Sequence, residues 1–154
     1  MTNPAPRALV VEDDNSWQQI LSEILSDSGL EVDIADNVDD ATLVLKAHPH
    51  RLAVVDLSLS PKDHNNYDGL RVLDAVRRVD PNCQTILLTG FATVELAVTA
   101  LTDYGAFTFL RKEVSIAVNF ATLSIESWLV LLIRMHQCLF LLQNHLYPPQ
   151  KAKR

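Results

Sequence analysis

The chain has 154 residues, 48% of them hydrophobic and 21% charged, which suits one globular domain with a real core. It argues against a disordered chain and against two domains of ordinary size. The formal net charge of -6 is uneven, with 18 acids against 9 bases in residues 1–114 and 1 acid against 4 bases in residues 115–154, so the acidic body argues against sequence-independent binding to nucleic acid. Cys83 and Cys138 lack motif spacing, and "MTNPAPR" lacks the apolar stretch of a signal peptide. Together they lead to the expectation of a cytoplasmic protein.

"RALVVEDD" is a short continuous apolar run ending in acids, as a buried parallel strand would be. Trp17, Ile20, Leu21, Ile24 and Leu25 then recur at helical spacing up to a stop at Gly29. "LEVDIAD" alternates like a half-buried strand, and Asp36 or Asn37 caps a second helix holding Val38, Ala41, Val44 and Leu45, closed by Pro49. "RLAVVDLSL" is the third strand, followed by "SPKDHNNYDG", a polar loop of turn formers. Leu70, Leu73, Val76 and Val79 mark a helix that ends near "DPN". "QTILLTG" is strand four, "TVELAVTALTDYG" a helix ended by Gly105, and "AFTFLRK" strand five. Five strands alternating with helices imply an α/β fold with a parallel sheet covered on both faces.

In an open sheet of this kind, sites form at the carboxyl ends of the strands. Glu12, Asp13, Asp56, Thr89 and Lys112 all stand at such ends, so they are expected in one crevice. Three crowded carboxylates repel one another and call for a cation, and an all-oxygen set suits Mg²⁺. With a hydroxyl and an ammonium added, the set can hold the oxygens of a phosphoryl group in transfer, chemistry that needs mainly positioning and charge stabilisation. The nucleophile would be a carboxylate, giving an aspartyl phosphate. Taken singly, each residue reads as a helix cap or a surface group, as Asp14 and Asn15 do at the first helix. Only their joint placement points to a site.

Over roughly residues 7 to 125 the chain resembles the receiver domains of bacterial two-component response regulators. The resemblance is carried by "LVVEDD", "LAVVDLSL", "DGLRVLDAVR", "TILLTG" and "GAFTFLRK", in that order. It implies a flavodoxin-like sheet of strand order 2-1-3-4-5 and Asp56 as phosphoacceptor. By the same likeness Asp13 would ligate Mg²⁺ directly and Glu12 through water, with Asp56 and the backbone carbonyl of Ser58 as further ligands. The pair Asp13 and Asp14 is an alternative that starts one residue late. Thr89 resembles the hydroxyl that turns toward the phosphoryl group, Lys112 the family's ammonium, and Phe109 the aromatic residue that moves inward with the threonine. The implied partners are a histidine kinase or phosphotransfer protein as donor and a downstream protein effector. The implied activity is self-phosphotransfer and self-dephosphorylation only, in a receiver that stands alone.

Three departures from the family pattern stand out. The loop between Asp56 and the Asp68-Gly69 pair is several residues longer than usual. Glu113 follows Lys112 where the family usually has proline in a cis bond, and a cis bond without proline costs roughly 3 kcal/mol more, so Lys112 is expected to sit differently. Gly90 replaces a small residue, commonly alanine, which is expected to loosen the entry to the fourth helix.

Residues 126–154 form an apolar helical extension with a short basic end, "KAKR", beyond a receiver domain over 1–125. A membrane span needs about 20 predominantly apolar residues, and Arg134, His136 and Gln137 interrupt the run. Two readings of the extension remain: a helix packed on its own domain, and a homodimer seam of Ile125, Trp128, Leu132, Met135, Leu139, Leu142 and Leu146 at 3-4 spacing. An end foreign to the family is a third.

Two other functions compete. Haloacid-dehalogenase-like phosphatases also use an aspartate nucleophile, but they carry a second aspartate two residues later, where this chain has Ser58 and so lacks the proton donor. A degenerate receiver would take no phosphate and act only as a dimerisation or protein-interaction module.

Overall fold

A computed structural model of the chain describes residues 5–60, 62–63, 66–90 and 93–112. The apolar runs form five parallel strands, β1 Arg7–Val11, β2 Glu31–Ala35, β3 Leu52–Asp56, β4 Gln84–Thr89 and β5 Thr108–Arg111, in the order β2-β1-β3-β4-β5. Their burial follows their place in the sheet. β3 is buried throughout and β1 and β4 nearly so, whereas the edge strands β2 and β5 are half-buried. The alternation read in β2 is not matched by its burial, since Ile34, expected inside, is exposed at the sheet edge.

Of the four described helices, α1 Asn15–Asp27, α2 Val38–Ala47, α3 Asp68–Val79 and α4 Val94–Thr102, all but α3 begin at an N-cap side chain that accepts from free amides. Asp14 accepts from the amides of Ser16 and Trp17, Asn37 from Asp40, and Thr93 from Leu96, as caps do. The cap of α1 is thus Asp14, and Asn15 is already helical. Asn37, not Asp36, caps α2. The helix stripes pack as their spacing requires. On α3 the buried residues are Gly69, Leu70, Val72, Leu73 and Val76, while Val79, expected inside, is exposed where the helix ends.

The period of two along the strands sorts the core into two layers. Leu9, Val11, Ala53, Val55 and Leu87 belong to one cluster with residues of α2, α3 and α4. Leu21 and Leu25 of α1 are buried outside that cluster, on the face to which Val10, Val54, Ile86 and Leu88 alternate. The expectation of helices on both faces of a 2-1-3-4-5 sheet therefore holds. Among the described residues no helix is long and apolar enough to cross a membrane. Glu113 and the apolar extension with its proposed seam from Ile125 to Leu146 lie outside the described residues.

β1 lies between β2 and β3, so the chain leaves it to opposite sides on successive crossovers, which opens a crevice at its carboxyl end. Register aligns the strands there: Val11 pairs with Val55, Asp56 with Leu88, and Thr89 with Arg111. The start of α3 presses on the same place. The Gly69 amide donates to the Leu57 carbonyl at 2.9 Å, and a Cβ at Gly69 would lie 2.2 Å from the Asp56 carbonyl oxygen and 2.7 Å from the Leu57 Cα. Backbone cannot yield as a side chain would. Gly69→Ala should accordingly lose about 2 to 4 kcal/mol in urea denaturation. Gly90→Ala, where a Cβ would meet nothing within 4 Å, should change stability by less than about 0.5 kcal/mol.

Candidate phosphoryl-transfer site

Six of the seven residues expected in the site line one cavity of about 290 Å³ at the carboxyl ends of the strands: Glu12, Asp13, Asp56, Ser58, Thr89 and Lys112. Phe109 does not line it. Its ring packs against the core cluster of α2, α3 and α4, opposite Leu87 in the register of β4 and β5. Asp14, Trp17, Ser60 and Gly90 complete the lining.

Lys112 joins β5 to the carboxylates. Its amide donates to the Thr89 carbonyl at 2.7 Å, which extends the β4 to β5 pairing by one residue. Its ammonium donates to Glu12 Oε2 and lies 3.1 Å from Asp56 Oδ2. Glu113, whose effect on the placement of Lys112 was in question, lies outside the described residues. The ammonium also lies over the indole of Trp17, 5.0 Å from its centroid. Sequence spacing put Trp17 with the buried stripe of α1, whereas it is only half-buried and borders the cavity.

Oxygen atoms of Glu12, Asp13 and Asp56 lie within 4.8 Å of one another, the arrangement among the described residues that could hold a metal ion. Three carboxylates meet one ammonium, and two of them are almost sealed from water, Glu12 at 1% and Asp56 at 8% exposure. Burial, with the Asp56 charge adding to it, pushes the Glu12 carboxyl up to about 7, although Lys112 pulls the other way. Burial likewise raises Asp56, opposed by Lys112 and reinforced by Asp13. A hard divalent cation would relieve this excess of negative charge, and the donor set suits Mg²⁺.

The longer loop after β3 is held by its own polar groups. Asn66 accepts from the Leu59 amide at 3.3 Å and the Asp68 amide at 3.1 Å, and donates to the Asp63 carbonyl at 2.7 Å. Ser58 Oγ donates to the same carbonyl at 3.1 Å. These bonds link the described residues of the loop to one another just ahead of α3. Gln18, unnoticed in sequence, donates to the Glu12 carbonyl at 2.7 Å and to Asp36 Oδ1 at 2.6 Å, tying the ends of β1 and β2 together.

Residues 8–123 match the model of the response regulator receiver domain. The chain belongs to that family. This receiver is 31% identical over 112 residues to the acid tolerance regulatory protein ActR of Rhizobium meliloti, a match covering 73% of this chain and 55% of that protein. It is 33% identical over 104 residues to the photosynthetic apparatus regulatory protein RegA of Cereibacter sphaeroides, covering 68% and 53%. The receiver chain thus spans about half the length of these curated relatives. Among solved structures it resembles a response regulator from Burkholderia pseudomallei with a phosphorylated aspartic acid, a calcium ion and citrate, at 27% identity and a TM-score of 0.65, covering 90% of this chain and 75% of that one. The chain is therefore a receiver domain of the two-component response regulator family.

The raised carboxyls set a pH dependence. Folding costs the ionised form of Glu12 more than the neutral form. That cost is absent below the ordinary value of 4.5, grows as pH rises, and is complete above about 7. Asp56 acts with the same sign, and the lowered Asp33 carboxyl titrates below 3.8, outside this window. In chelator, the midpoint of urea unfolding should fall between pH 5 and pH 7.5, and Glu12→Gln should flatten the slope. Mg²⁺ should restore more stability at pH 7.5 than at pH 5, since it binds the ionised carboxylates. A midpoint that rises across this range in chelator would contradict the charge arrangement described.

Proposed function

We propose that this receiver accepts a phosphoryl group on Asp56 in a Mg²⁺-dependent reaction and passes the signal on through a changed protein-binding face. The observation that carries this reading is the reach of the Lys112 ammonium to Asp56 Oδ2, 3.1 Å away, in a cavity that also holds the Thr89 hydroxyl and the acidic pair. The phosphorylated aspartic acid and the calcium ion of the Burkholderia protein support it by likeness. The donor would be a phosphohistidine of a kinase or phosphotransfer protein.

Glu12, Asp13, Asp56 and the Ser58 carbonyl would hold the cation, Glu12 through water. When bound, Mg²⁺ supplies positive charge that quiets the carboxylates and draws electron density from the phosphoryl oxygens. The chain's own residues do the rest. β3 fixes the Asp56 carboxylate at its end, where an oxygen attacks phosphorus. The new O–P bond forms as the bond from phosphorus to the donor breaks, and the donor leaves with its electron pair. Lys112 stabilises the charge on a transferred oxygen and Thr89 donates to another.

Thr89 and Phe109 lie on the same face of the sheet by strand parity, since Leu87 pairs with Phe109 and Thr89 with Arg111. A threonine drawn toward the phosphoryl group would vacate space on that face, into which the Phe109 ring can move. Exposed Val98 and Leu101 of α4 and exposed Phe107 make the neighbouring surface one that a protein partner could read. A homodimer through residues 125–146 is a second mode of output.

Intact-mass measurement after incubation with acetyl phosphate tests the reading. Wild type should gain one phosphoryl group with Mg²⁺, and none with chelator or in Asp56→Asn. Folded wild type that gains none under any condition would overturn it and favour an interaction module that works without phosphate. A second measurement addresses the switch. Thr89→Ala should still be labelled, yet the amide spectrum around Phe109 should differ far less between its labelled and unlabelled forms than in wild type. Equal differences in the two proteins would break the proposed coupling.

A further inference from the structure

Trp17 is the third residue of α1, and its amide is held by the Asp14 cap at 3.0 Å. Helical side chains lean toward the N-terminus, so the indole projects back over the cap toward the carboxyl end of β1. Register explains what it meets there. Glu12, Asp56 and Lys112 share the parity of Val10, Val54 and Leu110, which are linked across the sheet through Val10 with Val54, Asp56 with Leu88, and Leu88 with Leu110. That parity faces α1. The indole face accordingly lies 5.0 Å from the Lys112 ammonium, which is bound on its other sides by Glu12 and Asp56. The lysine side chain keeps only 10% of its exposure.

We propose that Trp17 is a positioning residue for Lys112, its indole face holding the ammonium within reach of Asp56 so that it is in place when a phosphoryl group arrives. The inference deepens the phosphoacceptor reading and rests on it for its kinetic consequence. Lysine has a flexible four-carbon stem and a strongly hydrated head, and the two carboxylates alone leave one side of that head to water. An indole is the most favourable ring for a cation, and the attraction grows with loss of solvent. The ring thus takes the place of water on the open side without bonding to the metal ligands or to the nucleophile.

The test separates rate from metal affinity. Under saturating acetyl phosphate and Mg²⁺, Trp17→Leu should be labelled about fivefold more slowly than wild type, and Trp17→Phe, which keeps a ring, within about twofold of it. The Mg²⁺ concentration for half-maximal rate should stay within about twofold in both. A wild-type rate in Trp17→Leu would overturn the proposal. So would a slowing accompanied by a parallel loss of Mg²⁺ affinity, which would mark Trp17 as support for the fold of the site.

A spectroscopic arm needs no phosphoryl transfer. Emission assigned to Trp17 by subtracting the Trp17→Phe spectrum should change in Lys112→Met, before any cation or donor is added. An unchanged spectrum would overturn the contact itself. If wild type takes no label but this spectral change is seen, the phosphoacceptor reading fails while the Trp17 to Lys112 contact stands.

Discussion

The structure turns on one imbalance: three carboxylates gathered at the ends of β1 and β3 against the single ammonium of Lys112. Nothing in a minimal α/β fold requires it. A buried carboxylate is stable when paired, and here the pairing is incomplete, so burial leaves Glu12 and Asp56 reluctant to ionise. The site therefore carries an excess of negative charge that a divalent cation would relieve. The rest of the fold serves to keep these groups from moving apart. The full burial of β3 fixes Asp56, Gln18 ties the Glu12 carbonyl to β2, and the Gly69 contact brings α3 onto the backbone at Asp56 and Leu57.

The two ends of the sheet are built on opposite electrostatic principles. At the amino end, Arg7 binds Asp33 through two nitrogens and also pairs with Glu31, while His50 Nε2 lies 2.8 Å from the same Asp33. The Arg7 guanidinium holds the Asp33 carboxyl below its ordinary value, the reverse of what happens to Glu12 and Asp56. Asp80 accepts from the His50 amide at 2.7 Å and fastens the end of α3 to the start of β3. Compensated charge joins the elements at one end, and uncompensated charge waits for a ligand at the other.

Much of this was legible in the chain. Continuous apolar runs separated by helical stripes are hard to satisfy other than by a buried parallel sheet, and strand ends that finish in acids name their own crevice. What sequence spacing leaves out is register. That Glu12, Asp56 and Lys112 share a sheet face, while Thr89 shares the other with Phe109, depends on which residues of neighbouring strands are paired. A slip of one residue would reverse every one of these assignments. Trp17 was hidden for a related reason: helical spacing gives the face a residue occupies, not what lies beyond the end of the helix. Asn66 was hidden too, because a loop of turn formers admits many hydrogen-bond patterns, and only the folded loop selects one.

The parity of the strands also separates the residues proposed for chemistry from those proposed for readout. On the face toward α1 stand Asp56, Lys112 and Glu12, with Trp17 beside the ammonium. On the face toward α4 stand Thr89 and Phe109, with the exposed apolar side of α4 close by. Lys112 and Thr89 are joined through the backbone by the bond from the Lys112 amide to the Thr89 carbonyl, so these two residues of opposite faces meet at one ladder position. A charge added at Asp56 would be met on one face by the Lys112 ammonium, with Thr89 and Phe109 on the other face. On the proposed function, that division would let a buried strand hold its carboxylate rigid without freezing the opposite face.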